Sequence, residues 1–200
     1  LGVAQMKLTG RHNVMNGLTA AAMAWHAEAD VDTILRAMAT FAGVGRRMEL
    51  KGISRGIAVV DDYAHHPTEI QASLRAIRDT YEPERLWVVF QPHQHSRTRF
   101  LLADFARSFA VADVTLVPDI YFVRDSEAEK QAVSAEDLVS EIRRAGGHAE
   151  YLKSFEEIVA RLSAELRPGD CLVTMGAGSV YEIADQMLSR LSEAAGAAGK

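Results

Sequence analysis

The sequence is short of cysteine, of surplus basic charge and of long apolar runs, and each shortage excludes something. The one cysteine, Cys171, can form no internal disulfide. It lies mid-run among apolar residues, so a buried structural thiol in a reducing, cytoplasmic setting is expected, not a nucleophile. The 22 Lys and Arg are outnumbered by 27 Asp and Glu, for a net charge of −5. That balance carries no general polyanion-binding signature and argues against nucleic acid as a partner. No apolar run approaches the length of a membrane span, and no basic-then-apolar start marks a signal peptide, so no membrane partner is expected. Three motifs are missing too: HExxH, CxxC and G-x-x-x-x-G-K-[ST]. The chain thus has no P-loop of its own to cradle a triphosphate.

What is present suits a folded protein. Hydrophobic residues make up 48% and charged residues 24% of 200 positions. This fits one domain, or one domain plus part of another, with a sizeable core. The chain starts at Leu1, which reads as a fragment or a processed chain. Its last residues, 192–200, are small and weakly patterned, and a flexible tail is expected there because they offer little apolar surface to offset the cost of ordering.

The spacing predicts a first helix from Gly10 to about His26, with Val14, Leu18, Ala21, Ala22 and Trp25 on its buried face. Asp30 is an N-cap for a second helix, Val31 to about Phe41, with Ile34, Leu35, Met38 and Phe41 inward. Two helices without a sheet do not make a domain of this kind, so residues 1–49 read as the tail of a preceding domain. From Met48 the pattern changes. Strands are expected at Met48–Ile53, Ile57–Asp61, Leu86–Phe90, Val114–Val117, His148–Leu152 and Cys171–Met175. Helices are expected at Thr68–Thr80, Thr98–Val111, Ala135–Ala145, Phe155–Glu165 and Val180–Leu191, with Ser134 and Ser154 as N-caps and Gly146 as a C-cap. Strands alternating with such helices predict an α/β fold over residues 50–191, a mostly parallel Rossmann-like sheet with helices on both faces.

The turns after these strands carry the chemistry. Asp61-Asp62-Tyr63-Ala64-His65-His66-Pro67-Thr68-Glu69 places two acids, a tyrosine and two histidines at one strand-to-helix turn. Gln91-Pro92-His93-Gln94-His95-Ser96-Arg97-Thr98-Arg99 follows the next strand. Asp119, Tyr121, Arg124 and Asp125 follow the third, and Gly176-Ala177-Gly178-Ser179 the last. In a parallel sheet all of them share the edge where ligands bind. The plain alternative for the first turn is a polar loop with Pro67 at the first helical position. His65, His66, His93 and His95 with Asp61 and Asp62 are also possible zinc ligands, but without metal-ligand spacing. Histidines beside Arg97 and Arg99 point instead to an anionic or zwitterionic ligand, since arginine grips a carboxylate through paired hydrogen bonds. Gly176-Ala177-Gly178 lacks the third glycine of a dinucleotide fingerprint, because Tyr181 stands there, yet such a turn lets a ligand approach backbone N–H groups.

Gly10-Arg11-His12-Asn13-Val14-Met15-Asn16, Gly43-Val44-Gly45-Arg46-Arg47, Asp61 through Glu69 and Phe90 through Thr98 follow in the order of the Mur ligases, which this chain resembles from Gly10 to Leu191. The resemblance implies a Rossmann-like C-terminal domain preceded by a short helical remnant of a central ATPase domain, with that domain's P-loop and a UDP-sugar domain missing from this chain. It implies an ATP- and Mg2+-dependent ligase that joins L-alanine to UDP-N-acetylmuramate through an acyl phosphate in peptidoglycan synthesis, the 200-residue piece being inactive alone. His12, Asn13 and Asn16 resemble nucleotide contacts, and one of Arg46 and Arg47, with Arg47 favoured, resembles the arginine facing the phosphates. Asp62 resembles the aspartate anchoring the nucleotide. Tyr63, His65, His93 and Arg97 resemble the substrate contacts, with Arg47, Asp62 and His65 closest to catalysis and no residue implied as a metal ligand. Gln94 stands where some members have arginine. Two rival readings are a ligase that recycles a ready-made tripeptide and a non-catalytic Rossmann-like binding module.

Overall fold

A computed structural model describes residues 2–198, and for 195–198 the backbone alone. The chain divides into two compact units, Leu1–Gly45 and Arg46–Lys200. The division falls four residues ahead of the expected boundary at residue 49. Its cause is that Arg46, Met48 and Glu49 are already hydrogen-bonded to Asp61, Asp62 and Tyr63 or begin the first strand.

The first unit holds α1 (Arg11–His26) and α2 (Val31–Thr40), the latter capped by Asp30 through Thr33 N–H. The expected buried face of α1 is a correction. Val14, Leu18 and Trp25 are each at least half exposed, as is Phe41 beyond α2, and neither helix has a buried residue. Helical periodicity states which face is apolar and says nothing of whether a partner covers it.

The second unit is built on a six-stranded sheet. Its strands are β1 (Glu49–Ser54), β2 (Ile57–Asp62), β3 (Leu86–Phe90), β4 (Val114–Val117), β5 (Ala149–Tyr151) and β6 (Cys171–Met175). Their order across the sheet is β1-β2-β6-β3-β4-β5. Only β1 is antiparallel to its neighbour; β2/β6, β6/β3, β3/β4 and β4/β5 are parallel. The central strands are buried throughout, as continuous apolar runs require when both faces are covered.

Alternation along each strand splits the core in two. Val60, Val88, Phe90 and Val173 face α3 (Pro67–Tyr81), α5 (Leu102–Ser108) and α7 (Ala135–Arg144). Val59, Trp87, Val89 and Leu172 face α8 (Phe155–Glu165) and α9 (Tyr181–Ala198). Phe90 packs against Phe105 and Phe109 at centroid distances of 5.4 and 5.2 Å. Ser134 and Ser154 cap α7 and α8 as expected. Past the end of α7, Gly146 takes φ +89°, while Gly147 N donates to Ile142 O and Gly146 N to Arg143 O, which closes the helix.

Three elements differ from expectation. The helix predicted over Thr98–Val111 is two, α4 (His95–Phe100) and α5, because Leu101 leaves helical geometry and the start is drawn back to His95 by a cap from another loop. A short helix α6 (Glu127–Gln131) closes on a Ser126/Glu129 capping box that the sequence reading passed over. The last helix runs to Ala198 instead of Leu191, in keeping with alanine's high helix propensity. Gly199 and Lys200, the end of the expected tail, lie outside the described residues.

The two kinds of apolar face separate experimentally. Phe90→Ala empties a site with 0% exposure and is expected to cost about 3–5 kcal/mol. Leu18→Ala on the uncovered face is expected to stay within about 0.5 kcal/mol. Urea denaturation of both variants checks this, and equal losses contradict it.

Candidate active site

Because β6 inserts between β2 and β3, the turns after β2, β6, β3 and β4 stand side by side on one sheet edge. The first is held by Arg46. Its Nε donates to Asp61 Oδ2 at 2.8 Å, its Nη2 to Gly176 O at 2.8 Å and its Nη1 to Gly178 O at 3.0 Å. Its backbone carbonyl accepts from Tyr63 N at 2.6 Å, and its guanidinium lies over the rings of Tyr63 and Tyr181. One side chain thus joins the start of the unit, the end of β2 and the glycine turn after β6.

That turn needs its first glycine. Gly176 has φ +143°, and a Cβ there would sit 2.7 Å from Gln91 O. At Gly178 a Cβ would meet only the end of the Gln91 side chain, which can shift; that Oε1 is buried without a hydrogen-bond partner among the described residues.

The two acids of the turn both look inward. Asp61, fully buried, also accepts from Thr174 Oγ1 at 2.6 Å. Asp62 is 2% exposed and accepts from Ala64 N at 2.6 Å, Met48 N at 2.9 Å and Ser73 Oγ at 3.1 Å. Burial pushes its carboxyl above the usual range, against the pull of the Ala64 and Met48 N–H groups. Where the resemblance implies a nucleotide contact for Asp62, the carboxylate is largely occupied by the fold, because a buried acid must find internal donors. Its visible work is to hold Met48, and with it Arg47, in place.

Arg47 is the free member of the arginine pair. Its side chain is 51% exposed, with Glu69 4.0 Å away, and it lies over Tyr63 at 5.3 Å. His65 Nδ1 lies 3.1 Å from Tyr63 O and 3.5 Å from Glu69 Oε2. His66, exposed, serves as N-cap of α3 through Thr68 N–H, with Pro67 following it at the helix start.

Rings from three loops then meet in a row. Tyr63 and His65 pack edge to face at 5.4 Å, His65 meets His93 at 6.4 Å, and His93 stacks on Tyr121 at 5.4 Å with an interplanar angle of 13°. Burial, then the neighbouring charges of Arg97 and His65, push His93 below its ordinary pKa of 6.5. His93 is therefore neutral near pH 7. Its Nδ1 and Arg97 Nη1 are buried without hydrogen-bond partners among the described residues. A half-buried guanidinium with an unused N–H beside a neutral imidazole is set to take a carboxylate and an amine.

Tyr63, His65, His93, Arg97 and Arg47 thus all belong to this edge of the second unit. His12, Asn13 and Asn16 lie at the start of α1 in the first unit, where Asn13 Nδ2 donates to Thr9 O at 2.8 Å. Sequence reasoning did not assign the roles of Arg46, Gln91 and Tyr121; the adjoining Arg46-Arg47 and the glycine turn were visible, but their meeting was not. No group of three or more His, Cys, Asp and Glu fit to hold a metal occurs among the described residues. Nor is any helix among them long and apolar enough to cross a membrane.

Comparison with known proteins gives a consistent set. A family profile described as "Mur ligase, glutamate ligase domain" matches residues 46–178. The UDP-N-acetylmuramate–L-alanine ligase of Geobacter sp. (strain M21) is 44% identical over 195 residues, covering 97% of this chain and 42% of that protein. The ligase of the same name from Solibacter usitatus is 46% identical over 192 residues, covering 96% and 40%. Among solved structures, the UDP-N-acetylmuramate–alanine ligase of Thermotoga maritima aligns with a TM-score of 0.77 at 25% identity, over 96% of this chain and 40% of that one. A murein peptide ligase from Psychrobacter arcticus aligns with a TM-score of 0.72 at 29% identity, over 94% and 38%. The chain spans about two-fifths of the length of the curated relatives it matches.

Two outcomes follow from this geometry. Arg46→Ala strands the Asp61 carboxylate and is expected to cost about 3 kcal/mol or more, with Arg46→Lys a poor replacement because one ammonium cannot span three acceptors. Arg47→Ala is expected to be nearly neutral, and urea denaturation measures all three. Because the pKa of His93 is depressed in the fold, its contribution to stability is full above pH 6.5 and is lost as pH falls through the folded value. His93→Gln should flatten that slope; an unchanged slope between pH 7.5 and 5.5 counts against it.

Proposed function

This chain belongs to the Mur ligase family, and on that premise we propose that it is the C-terminal part of an ATP-dependent ligase joining L-alanine to the carboxylate of UDP-N-acetylmuramate in cytoplasmic peptidoglycan precursor synthesis. The observation that carries the reading is Arg97 in α4, whose buried Nη1 has no hydrogen-bond partner among the described residues and which follows His93 in the segment after β3, beside the ring row of Tyr63 and His65. An incoming amino acid offers that arrangement both of its charged groups.

In this reading the muramoyl carboxylate is first activated as an acyl phosphate, with the γ-phosphoryl of ATP as donor and ADP released. The amine nitrogen then forms a bond to the acyl carbon, the carbon–oxygen bond to phosphate breaks, and the amine gives up a proton. Arg97 holds the carboxylate of alanine through its guanidinium. Tyr63 and His93 border the alanine, and the His65 imidazole is the proposed acceptor for the amine proton. Arg47 meets phosphate oxygens, and Asp62 positions it through the Met48 N–H. His12, Asn13 and Asn16 are the proposed nucleotide contacts of the first unit.

Magnesium would supply charge neutralisation at the phosphates, and none of these residue roles runs through it. With no P-loop in the sequence, the first unit, Leu1–Gly45, is read as the end of a central ATP-binding domain whose remainder, with the UDP-sugar domain, completes the site. The apolar face of α1 is a natural seat for that remainder.

Similarity to a murein peptide ligase gives the second reading, a preformed peptide in place of alanine. In the ligase restored to full length, alanine-dependent ADP release is expected, with tripeptide a poor acceptor; the reverse preference selects the second reading. Arg97→Ala and Arg47→Ala are each expected to lower that rate by about a hundredfold, the scale on which positioned charge-stabilising groups act. Wild-type rates in both sink the assignment. The 200-residue chain alone is expected to hydrolyse no ATP.

A further inference from the structure

Beyond the ends of β3 and β4 the two chains stay joined. Tyr121 N donates to Pro92 O at 2.8 Å and Gln94 N to Tyr121 O at 3.1 Å, and His93 and Tyr121 form an isolated parallel bridge. Gln94 then enters the left-handed region at φ 72°, a costly conformation for a residue with a side chain. It occupies the N-cap position of α4 and makes no side-chain cap. The cap comes from the other loop. Asp125 accepts from His95 N at 2.5 Å, from Ser96 Oγ at 2.7 Å and from Ser96 N at 3.3 Å, and its side chain has no exposed surface. A buried carboxylate that gathers three donors from one helical turn fixes that turn far more tightly than a solvated loop does.

We propose that Asp125 is a positioning residue of the amino-acid site: its carboxylate fastens the loop after β4 to the first turn of α4 and so sets where His93 and Arg97 point. The inference deepens the ligase reading and rests on it for the identity of the ligand, though not for the geometry. Two observations converge on it. The backbone pairing makes residues 92–94 and 121 one unit, and Asp125 closes the far end of the same unit. Asp125 also works on His93 through space, since its charge favours the protonated ring against the opposing charges of Arg97, His65 and Arg124. Burial alone would push the Asp125 carboxyl up, but the Ser96 hydroxyl and the His95 and Ser96 N–H groups bring it below the usual range. An asparagine can accept through one oxygen only and presents donors where two donors already point, whereas a glutamate keeps both oxygens and the charge.

The experiment has two arms. In the 200-residue chain, side-chain nitrogen NMR of Asp125→Asn is expected to displace or broaden the His93 and Arg97 signals and leave the Trp87 indole signal in place, with Asp125→Glu returning toward wild type. Unmoved His93 and Arg97 signals overturn the proposal whatever the ligand. In the full-length ligase, Asp125→Asn is expected to raise KM for L-alanine by about tenfold or more with KM for ATP unchanged, the scale on which misplaced contact groups act. An equal rise in both KM values, or a fall in kcat at constant alanine KM, overturns it. A wild-type enzyme that does not use alanine removes the ligase reading, and the NMR arm alone then decides on Asp125. If Asp125→Asn fails to fold, Ser96→Ala removes one of the same donors and carries the same readouts.

Discussion

A buried carboxylate must find a partner, and here Asp61 finds Arg46. Much of the site's layout follows from that one requirement. The guanidinium that answers Asp61 has further N–H groups, and they reach the carbonyls of Gly176 and Gly178. Arg46 is the first residue of its compact unit, Asp61 lies near the end of β2 and the glycines follow β6, so three distant segments are fixed by one planar group. Arginine suits this task because its donors lie in a rigid fork; lysine offers a point charge.

Once Arg46 is committed to the fold, the neighbouring arginine is released from it. Arg47 keeps an exposed side chain, with a distant, weak pairing with Glu69 and a place over the Tyr63 ring. The adjoining acids follow the opposite course, since both Asp61 and Asp62 spend their oxygens on internal donors. The groups left to meet a ligand are therefore cations and rings: Arg47, Arg97, Tyr63, His65 and His93. Cationic and ring side chains of this kind suit anionic groups such as phosphates and carboxylates.

The rings add rigidity at the mouth of the sheet. Tyr63, His65, His93 and Tyr121 come from three strand ends and pack in sequence, so each of the three loops meets the next through a ring. The loops after β3 and β4 are joined more firmly still, by backbone pairing and by Asp125. This sheet edge is in that sense held together without a ligand, so a ligand binding there would have less ordering to offset.

Strand and helix alternation was legible from Met48 onward, and β3, β4 and β6 occupy the residues that continuous apolar runs predict, because a strand buried on both faces has little choice of composition. The polar turns were legible for the same reason, as breaks in those runs. Three things were not. The apolar stripe of α1 lies uncovered, since a periodicity is a property of the helix and burial is a property of its surroundings. The helix after β3 starts at His95 because Asp125, some thirty residues on, supplies its cap. And Asp62 turns inward, a direction that no local pattern encodes.

The sequence by itself determined the family's motifs, the α/β class and where the polar turns fall, all of them consequences of local composition and periodicity. Tertiary structure alone decided that β6 lies between β2 and β3, so that Arg46 can clamp the glycine turn beside Asp61. It also decided which of two adjacent arginines, and which of the many polar side chains at that edge, is left with hydrogen-bonding capacity for a ligand. The physical reason is that hydrogen bonds are satisfied in space, between residues that strand order brings together and sequence separation conceals.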